Sequence, residues 1–264
     1  MHILVVGDIT GKPGRRILKD TLPRLRRDHG AAFVIANGEN AAAGAGITAE
    51  IAEEILAAGV DVITGGNHIW HQRSSYELLD SHARILRPLN FPPGVPGRGV
   101  TVAEADNGTR VAVMSLQGRV FMQELDDPFR AAREEAERLR AQTPMIIIDF
   151  HAEATSEKIA LGWHLDGRVT AIIGTHTHVQ TADERVLPGG TAYITDVGMT
   201  GPRDGVIGMD REIILERFLT QLPTRFEVAK GPAQLNAVLI DADERTGRAR
   251  AIARIQEYDR HDAD

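Results

Sequence analysis

Short runs of consecutive apolar residues recur along the chain, and each is followed by a stretch with helical spacing. The runs at 3–6, 32–36, 60–64, 144–149 and 169–173 show no alternation with polar residues. Such runs read as strands covered on both faces rather than on one. Between them, 13–27, 48–58, 74–80, 131–142 and 154–163 read as helices. Pro13 suits a first helical turn. Thr48 is a suitable N-cap and Gly59 a suitable stop for the second helix. Strand–helix repetition of this kind predicts an α/β fold. The middle of the chain differs. Residues 89–99 are rich in Pro and Gly and read as a loop. Residues 100–103 and 110–116, separated by Asp106-Asn107-Gly108, read as a hairpin. The stretches 185–194 and 233–255 read as short antiparallel strands. No repeat, low-complexity tract or linker interrupts the pattern, so a single domain over residues 1–264 is expected.

Composition narrows the chemistry. The chain has 42% hydrophobic and 25% charged residues, ordinary values for a folded domain. It contains no cysteine, which removes disulfides, thiolate nucleophiles and Cys-based metal sites together. Any metal must be held by His, Asp, Glu, Asn or backbone oxygen. The net charge of −7 argues against stable nucleic-acid binding, which calls for a basic face. No segment approaches the roughly 20 apolar residues of a membrane helix, so no membrane association is expected and a cytoplasmic location is.

Polar residues gather where the predicted strands end. Val6 is followed by Gly7-Asp8, Ala36 by Asn37-Gly38-Glu39-Asn40, and Thr64 by Gly65-Gly66-Asn67-His68. Phe150 is followed by His151, and Ile173 by Gly174-Thr175-His176-Thr177-His178. Sites in open α/β sheets form outside the carboxyl ends of the strands, so these five segments should converge on one rim. Asp8, Glu39, Asn67, His151, His176 and His178 mix imidazole with oxygen donors, a set suited to manganese, iron or zinc. Taken singly, each has a plainer reading. Asp8 could cap a helix and Asn67 could serve a turn. His2, His29, His82 and His261 are read as ordinary surface or core histidines. The coincidence at five strand ends carries the metal-site expectation.

Other motifs fail. Gly7 through Pro13 lacks the spacing of a phosphate loop, having Val6 and Pro13 where Gly and Ser or Thr are required. Gly44-x-Gly46-x-x-Ala49 matches a relaxed dinucleotide fingerprint, but no apolar strand leads into it. Lys12, Arg15, Arg16, Arg24, Arg26 and Arg27 make the first helix basic, which is read as a solvated face.

The strand-end blocks resemble the calcineurin-like metallophosphoesterase superfamily, and within it the YmdB-like bacterial phosphodiesterases. The matching blocks are Gly7-Asp8-Ile9, Asn37-Gly38-Glu39-Asn40-Ala41, Gly66-Asn67-His68, 149–154, 174–181 and 196–201. The chain departs from the superfamily pattern at Thr10, where a His is usual, and at Glu39, where an Asp is usual. The resemblance implies a four-layer α/β/β/α sandwich with two mixed β-sheets. It implies two metal ions, iron or manganese. Asp8, Glu39 and His178, with Asn40 as a further candidate, would hold one; Glu39, Asn67, His151 and His176 would hold the other. Thr10 leaves an open position on the first ion, for Asn40 or water to fill. The activity implied is hydrolysis of phosphoesters, with 2′,3′-cyclic nucleotides as the small-molecule substrate. On this reading a hydroxide between the ions attacks phosphorus in line, and His68 protonates the leaving alkoxide. Glu153 could orient a histidine ligand, and 196–203 could edge the substrate pocket.

Two other classes stand beside this one. A regulatory protein with a mainly structural metal centre would bind a nucleotide or a partner without turnover. An oxidoreductase built on 44–49 would bind a cofactor without metal. Oligomeric state is left open; the 89–99 loop is the candidate for packing between copies in a homo-oligomer.

Overall fold

A computed structural model describes residues 1–259, so His261 lies outside the described residues. One sheet contains β1 (His2–Val6), β2 (Asp8–Ile9), β3 (Ala31–Asn37), β4 (Val62–Thr64), β11 (Met199–Pro202), β12 (Ala233–Ala242) and β13 (Ala249–Tyr258). The other contains β5 (Val100–Glu104), β6 (Arg110–Gln117), β7 (Ile146–His151), β8 (Ala171–Thr175), β9 (Arg185–Val186) and β10 (Ala192–Ile194). Both are mixed. β1, β3 and β4 run parallel, while β12 pairs antiparallel with β1. β6, β7, β8 and β10 run parallel, with antiparallel β5 and β9 at the edges.

Three cores explain the lack of polar alternation. Side chains on a strand alternate between faces. Leu4, Val6, Val34 and Ala36 enter a core shared with Ile17, Leu18 and Leu22 of α1 (Gly11–Asp28) and Ile55 of α2 (Ala49–Ala57). Ile3, Val5, Phe33 and Ile35 point the other way and meet Val111, Val113, Ile147 and Ile173 of the second sheet. Ala112, Met114, Ile148 and Ile172 fill the third core, with Leu139 of α4 (Pro128–Arg140) and Leu161 of α5 (Thr155–His164). Each strand of this kind is apolar on both sides because each side faces a different layer, giving the expected helix–sheet–sheet–helix order.

Local signals act as the residues dictate. The Thr48 hydroxyl accepts from the Ile51 amide at the start of α2, and Gly59 follows it at φ +109°. α3 (Ser75–Ser81) follows the turn after β4. The basic face of α1 is tied down by acids: Arg15 to Glu54, Arg24 to Glu257 and Arg26 to Asp61 and Asp106. Two expectations need correcting. The 233–255 stretch forms a hairpin of two ten-residue strands, not short ones. A helix absent from the sequence reading, α6 (Arg211–Thr220), follows β11. Among the described residues no helix is long and apolar enough to cross a membrane.

Candidate metal centre

β1, β3 and β4 share one direction, as do β6, β7 and β8, so their carboxyl ends lie at common edges. Asp8 follows β1, Glu39 and Asn40 lie in the turn after β3, and Asn67 and His68 follow β4. His151 is the last residue of β7, and His176 and His178 follow β8. The structure brings all eight predicted residues into one contiguous polar cluster. Gly66 permits the closeness: a Cβ there would lie 2.3 Å from Glu39 Oε2 and 2.4 Å from His151 Nε2.

The outward nitrogen of each clustered histidine meets a group that settles the tautomer. His178 Nδ1 donates to the carbonyl of Ile207 at 2.8 Å. His176 Nε2 lies 3.0 Å from the Glu153 carboxylate. Thr175 spends its hydroxyl proton on Asp149 at 2.6 Å, so at 3.0 Å it accepts from His151 Nδ1. Carbonyl and carboxylate oxygens only accept, and this hydroxyl is already used. The neutral rings therefore present lone pairs inward, at His178 Nε2, His176 Nδ1 and His151 Nε2.

Two of those lone pairs, at His151 Nε2 and His176 Nδ1, face other acceptors. His151 Nε2 lies 3.0 Å from His176 Nδ1, 2.9 Å from Asn67 Oδ1 and 3.2 Å from Glu39 Oε1. Four acceptors this close repel unless a proton or a cation sits among them. Glu39, His151 and His176 form the one His/Asp/Glu set with ligand spacing among the described residues, their atoms all within 4.8 Å. Asp8 lies alongside, with Oδ1 3.7 Å from His151 Nδ1 and Oδ2 accepting from the His176 amide at 3.3 Å. Its buried Oδ1 has no hydrogen-bond partner. The donor set, the unpartnered carboxylate oxygen and the glycine cradle fit a cation that accepts imidazole and carboxylate. Asn40 points Nδ2 at Glu39 Oε1 (3.0 Å) and His178 Nε2 (3.1 Å), and Oδ1 at His68 Nδ1 (2.7 Å). Thr10, where the superfamily has a histidine, is buried and turns its hydroxyl to the carbonyl of Asp8.

The electrostatics follow from these contacts. Burial pushes Asp8 up to about 6, against the pull of His178 and His151. Burial would also raise Glu39, but His151 and His68 hold it well below the ordinary carboxylate range. Burial lowers His151, yet Glu39, Asp8 and Asp149 outweigh it and raise the ring to about 9. His176 falls to about 3, by burial and by repulsion from His151. Without a cation, these acceptors favour a proton on His151. His68 is lowered by burial, against the opposing pull of Glu39. Its amide donates to Glu39 Oε2 at 3.0 Å, its ring stacks on His71, and Nε2 has no partner among the described residues.

Several supporting residues escaped the sequence reading. His176 and His178 both adopt positive φ, at +100° and +68°. Non-glycine residues there store of order 1–3 kcal/mol each, so their turn must be held from outside. Lys158 and Asp196, both buried, hold it. Lys158 Nζ donates to the Thr175 carbonyl at 2.7 Å and to Asp196 Oδ2 at 2.8 Å. Asp196 also accepts from the Thr177 amide and hydroxyl and from the Gly198 amide. On the other side, Asp149 accepts from Asn37, Thr64 and Thr175, fixing Thr175 for His151. Asp149 and Asp196 open two of the matching sequence blocks, but nothing in the sequence assigns them these partners, and Lys158 carries no such signal. Glu153 contacts His176, in keeping with the histidine-orienting role its place after His151 suggests.

A cavity of about 580 Å³ opens beside the cluster, with Glu39, Asn40, His68, His176 and His178 along one wall. Its far wall begins at Val206, so 196–203 does not edge it. Residues 44–49 form a turn and the start of α2 with no strand leading in, which removes the basis for a dinucleotide site.

A family model described as YmdB-like protein matches residues 4–255. The 2′,3′-cyclic-nucleotide 2′-phosphodiesterase of Bacillus subtilis is 53% identical over 261 residues, covering 99% of this chain and 98% of that protein. A crystal structure of a hypothetical protein from Thermus thermophilus superposes with a TM-score of 0.92 at 42% identity, covering 98% of this chain and all of that one (100%). A crystal structure of a phosphatase from Mycoplasma pneumoniae gives a TM-score of 0.91 at 37% identity, with 98% and 93% coverage.

Proposed function

The chain belongs to the YmdB-like protein family, and from that premise we propose that it is a metal-dependent phosphodiesterase acting on 2′,3′-cyclic nucleotides. The observation that carries this is the convergence of four acceptor atoms, His151 Nε2, His176 Nδ1, Asn67 Oδ1 and Glu39 Oε1. We assign one ion to Glu39, Asn67, His151 and His176, and a second to Asp8, Glu39 and His178, with Glu39 shared. Asn40 anchors His68 through Oδ1 and would offer that oxygen to the second ion only with its amide turned over. Iron and manganese both suit these donors. Such ions supply Lewis-acid stabilisation of phosphoryl charge and an activated water.

The chain's own residues do the rest. Asn40 Oδ1 fixes the Nδ1 proton of His68, so the mobile proton sits at Nε2. The His68 ring lines the cavity, where an anionic phosphate counters the lowering by burial and favours the protonated ring. From there Nε2 gives its proton to the leaving ribose oxygen as the phosphorus–oxygen bond breaks. Glu153, Thr175 and the Ile207 carbonyl keep the three imidazoles in the required tautomers.

Two variants separate these roles. His68→Ala should lower turnover of 2′,3′-cyclic AMP by about 10²–10⁴-fold while metal content stays at the wild-type level. Glu39→Ala should lose metal itself, measured by elemental analysis after gel filtration. Unchanged turnover in His68→Ala would remove the proton-donor role, and a full metal complement in Glu39→Ala would remove the shared-ligand role.

A further inference from the structure

The function proposed above uses only the polar wall of the cavity. The rest of the lining is mostly apolar, Ile207, Met209, Ile214, Phe218 and Phe226 among it, with Arg217 and Gln221 as its polar members. Ile214 is the only buried residue of α6. Phe218 is 71% exposed and Phe226 49%, in a chain where aromatic residues are scarce. Large apolar groups left in water beside a polar site mark a surface that something covers. The volume, about 580 Å³, exceeds what a phosphate group alone requires and lies in the range of small-molecule sites.

We propose that this wall is a nucleobase subsite, with the cyclic phosphate over the polar cluster and the base stacked on Phe218 and Phe226. The proposal rests on the phosphodiesterase reading and adds what the substrate carries beyond its phosphate. Ile207 joins the two halves: its side chain lines the cavity while its carbonyl accepts from His178 Nδ1 at 2.8 Å. A hydrogen bond therefore ties the 206–209 segment, which lines the cavity, to a metal-ligand candidate on the turn after β8.

Several backbone and side-chain groups of this wall are already engaged. The Val206 and Met209 backbone groups bond to each other, at 2.9 and 3.0 Å. Gln221 donates its amide to the Phe218 carbonyl, and Arg217 bonds to the Gln221 carbonyl. Stacking without edge recognition tolerates any base. The subsite should therefore distinguish nucleotides from base-free diesters.

The test compares 2′,3′-cyclic AMP with glycerol 1,2-cyclic phosphate, which carries the same five-membered diester and no base. Steady-state constants are measured for wild type, Phe218→Ala, Phe226→Ala and Leu219→Ala, the last on the outer side of α6. Each Phe variant should lose at least about fivefold in kcat/KM on the nucleotide, through KM, the lower end for one lost base–aromatic stack. Both should match wild type on the glycerol diester, and Leu219→Ala should match it on both substrates. Equal wild-type kcat/KM on the two substrates, or equal losses on both in the Phe variants, would overturn the subsite. If neither substrate is hydrolysed, the phosphodiesterase reading fails, and calorimetry then decides the subsite alone. It requires 3′-AMP to bind more tightly than inorganic phosphate, with the difference abolished by Phe218→Ala; equal binding overturns it.

Discussion

Replacing Lys158 with methionine removes the ammonium that neutralises Asp196 beneath the 175–178 turn. Both side chains are buried, at 1% and 0% exposure, so water cannot replace the lost partner. Breaking such a pair by deleting one member costs about 3–5 kcal/mol. Unfolding entropy of about 2.1 cal/mol/K per residue, over 264 residues, amounts to ~0.55 kcal/mol/K. The melting temperature should therefore fall by about 5–9 °C in a calorimetric scan. A second effect concerns the site. The Thr175 carbonyl loses its Nζ donor, and His176 and His178 are held at positive φ by the same network. Manganese affinity, measured by isothermal titration at a temperature where both proteins are folded, should fall by about 10–100-fold, as for other groups that position metal ligands. Asp196→Asn should behave similarly, and the double variant should lose less than the two singles together, since each single strands a partner. Melting within about 1 °C of wild type, together with unchanged manganese affinity, would refute the claim that this pair holds the turn.

Gly66→Ala should cut metal affinity, because its Cβ would be forced within 2.4 Å of Glu39 and His151 atoms; a retained wild-type affinity would show that the cluster is loosely built. Manganese affinity should rise with pH until about 9 and then level, since the ion displaces the proton that His151 keeps up to about 9. The raised folded value also means that, in chelated protein, His151 contributes stability below its ordinary 6.5 and loses it as pH climbs towards 9. Melting scans of chelated protein between pH 6 and 9 should show that decline, and loading with manganese should abolish it. Phe33→Ala, in the core between the sheets, should cost about 3–5 kcal/mol without altering metal stoichiometry.

Much of the architecture was legible because three separate cores impose two apolar faces on the central strands, and uninterrupted runs such as 3–6 and 144–149 record that directly. The site was legible for a related reason. Parallel strands end at a shared edge, so Asp8, Glu39, Asn67, His151, His176 and His178 announced themselves by position. What stayed hidden depends on contacts between distant parts. α6 reads Arg-Glu-Ile-Ile-Leu-Glu-Arg-Phe-Leu-Thr, with apolar residues spread around the helix rather than along one stripe, and only Ile214 buried. β2 is two residues long and exists by pairing Asp8 and Ile9 with Met199 and Thr200. β13 lies at a sheet edge and exposes Arg250, Arg254, Gln256 and Tyr258, so its ten residues looked shorter. Lys158 looks like a solvated lysine on α5, and nothing near it in sequence reveals Asp196 as its partner.

On the proposed function, the acceptor cluster holds metal and the metal-loaded protein hydrolyses cyclic phosphodiesters. The most direct measurement is release of nucleoside monophosphate from 2′,3′-cyclic AMP by protein reconstituted with manganese, against the same protein treated with chelator. Turnover is expected in the first sample, none in the second, and recovery when manganese is restored. Equal rates in the two samples, or no turnover from protein shown by elemental analysis to carry its metal, would contradict it.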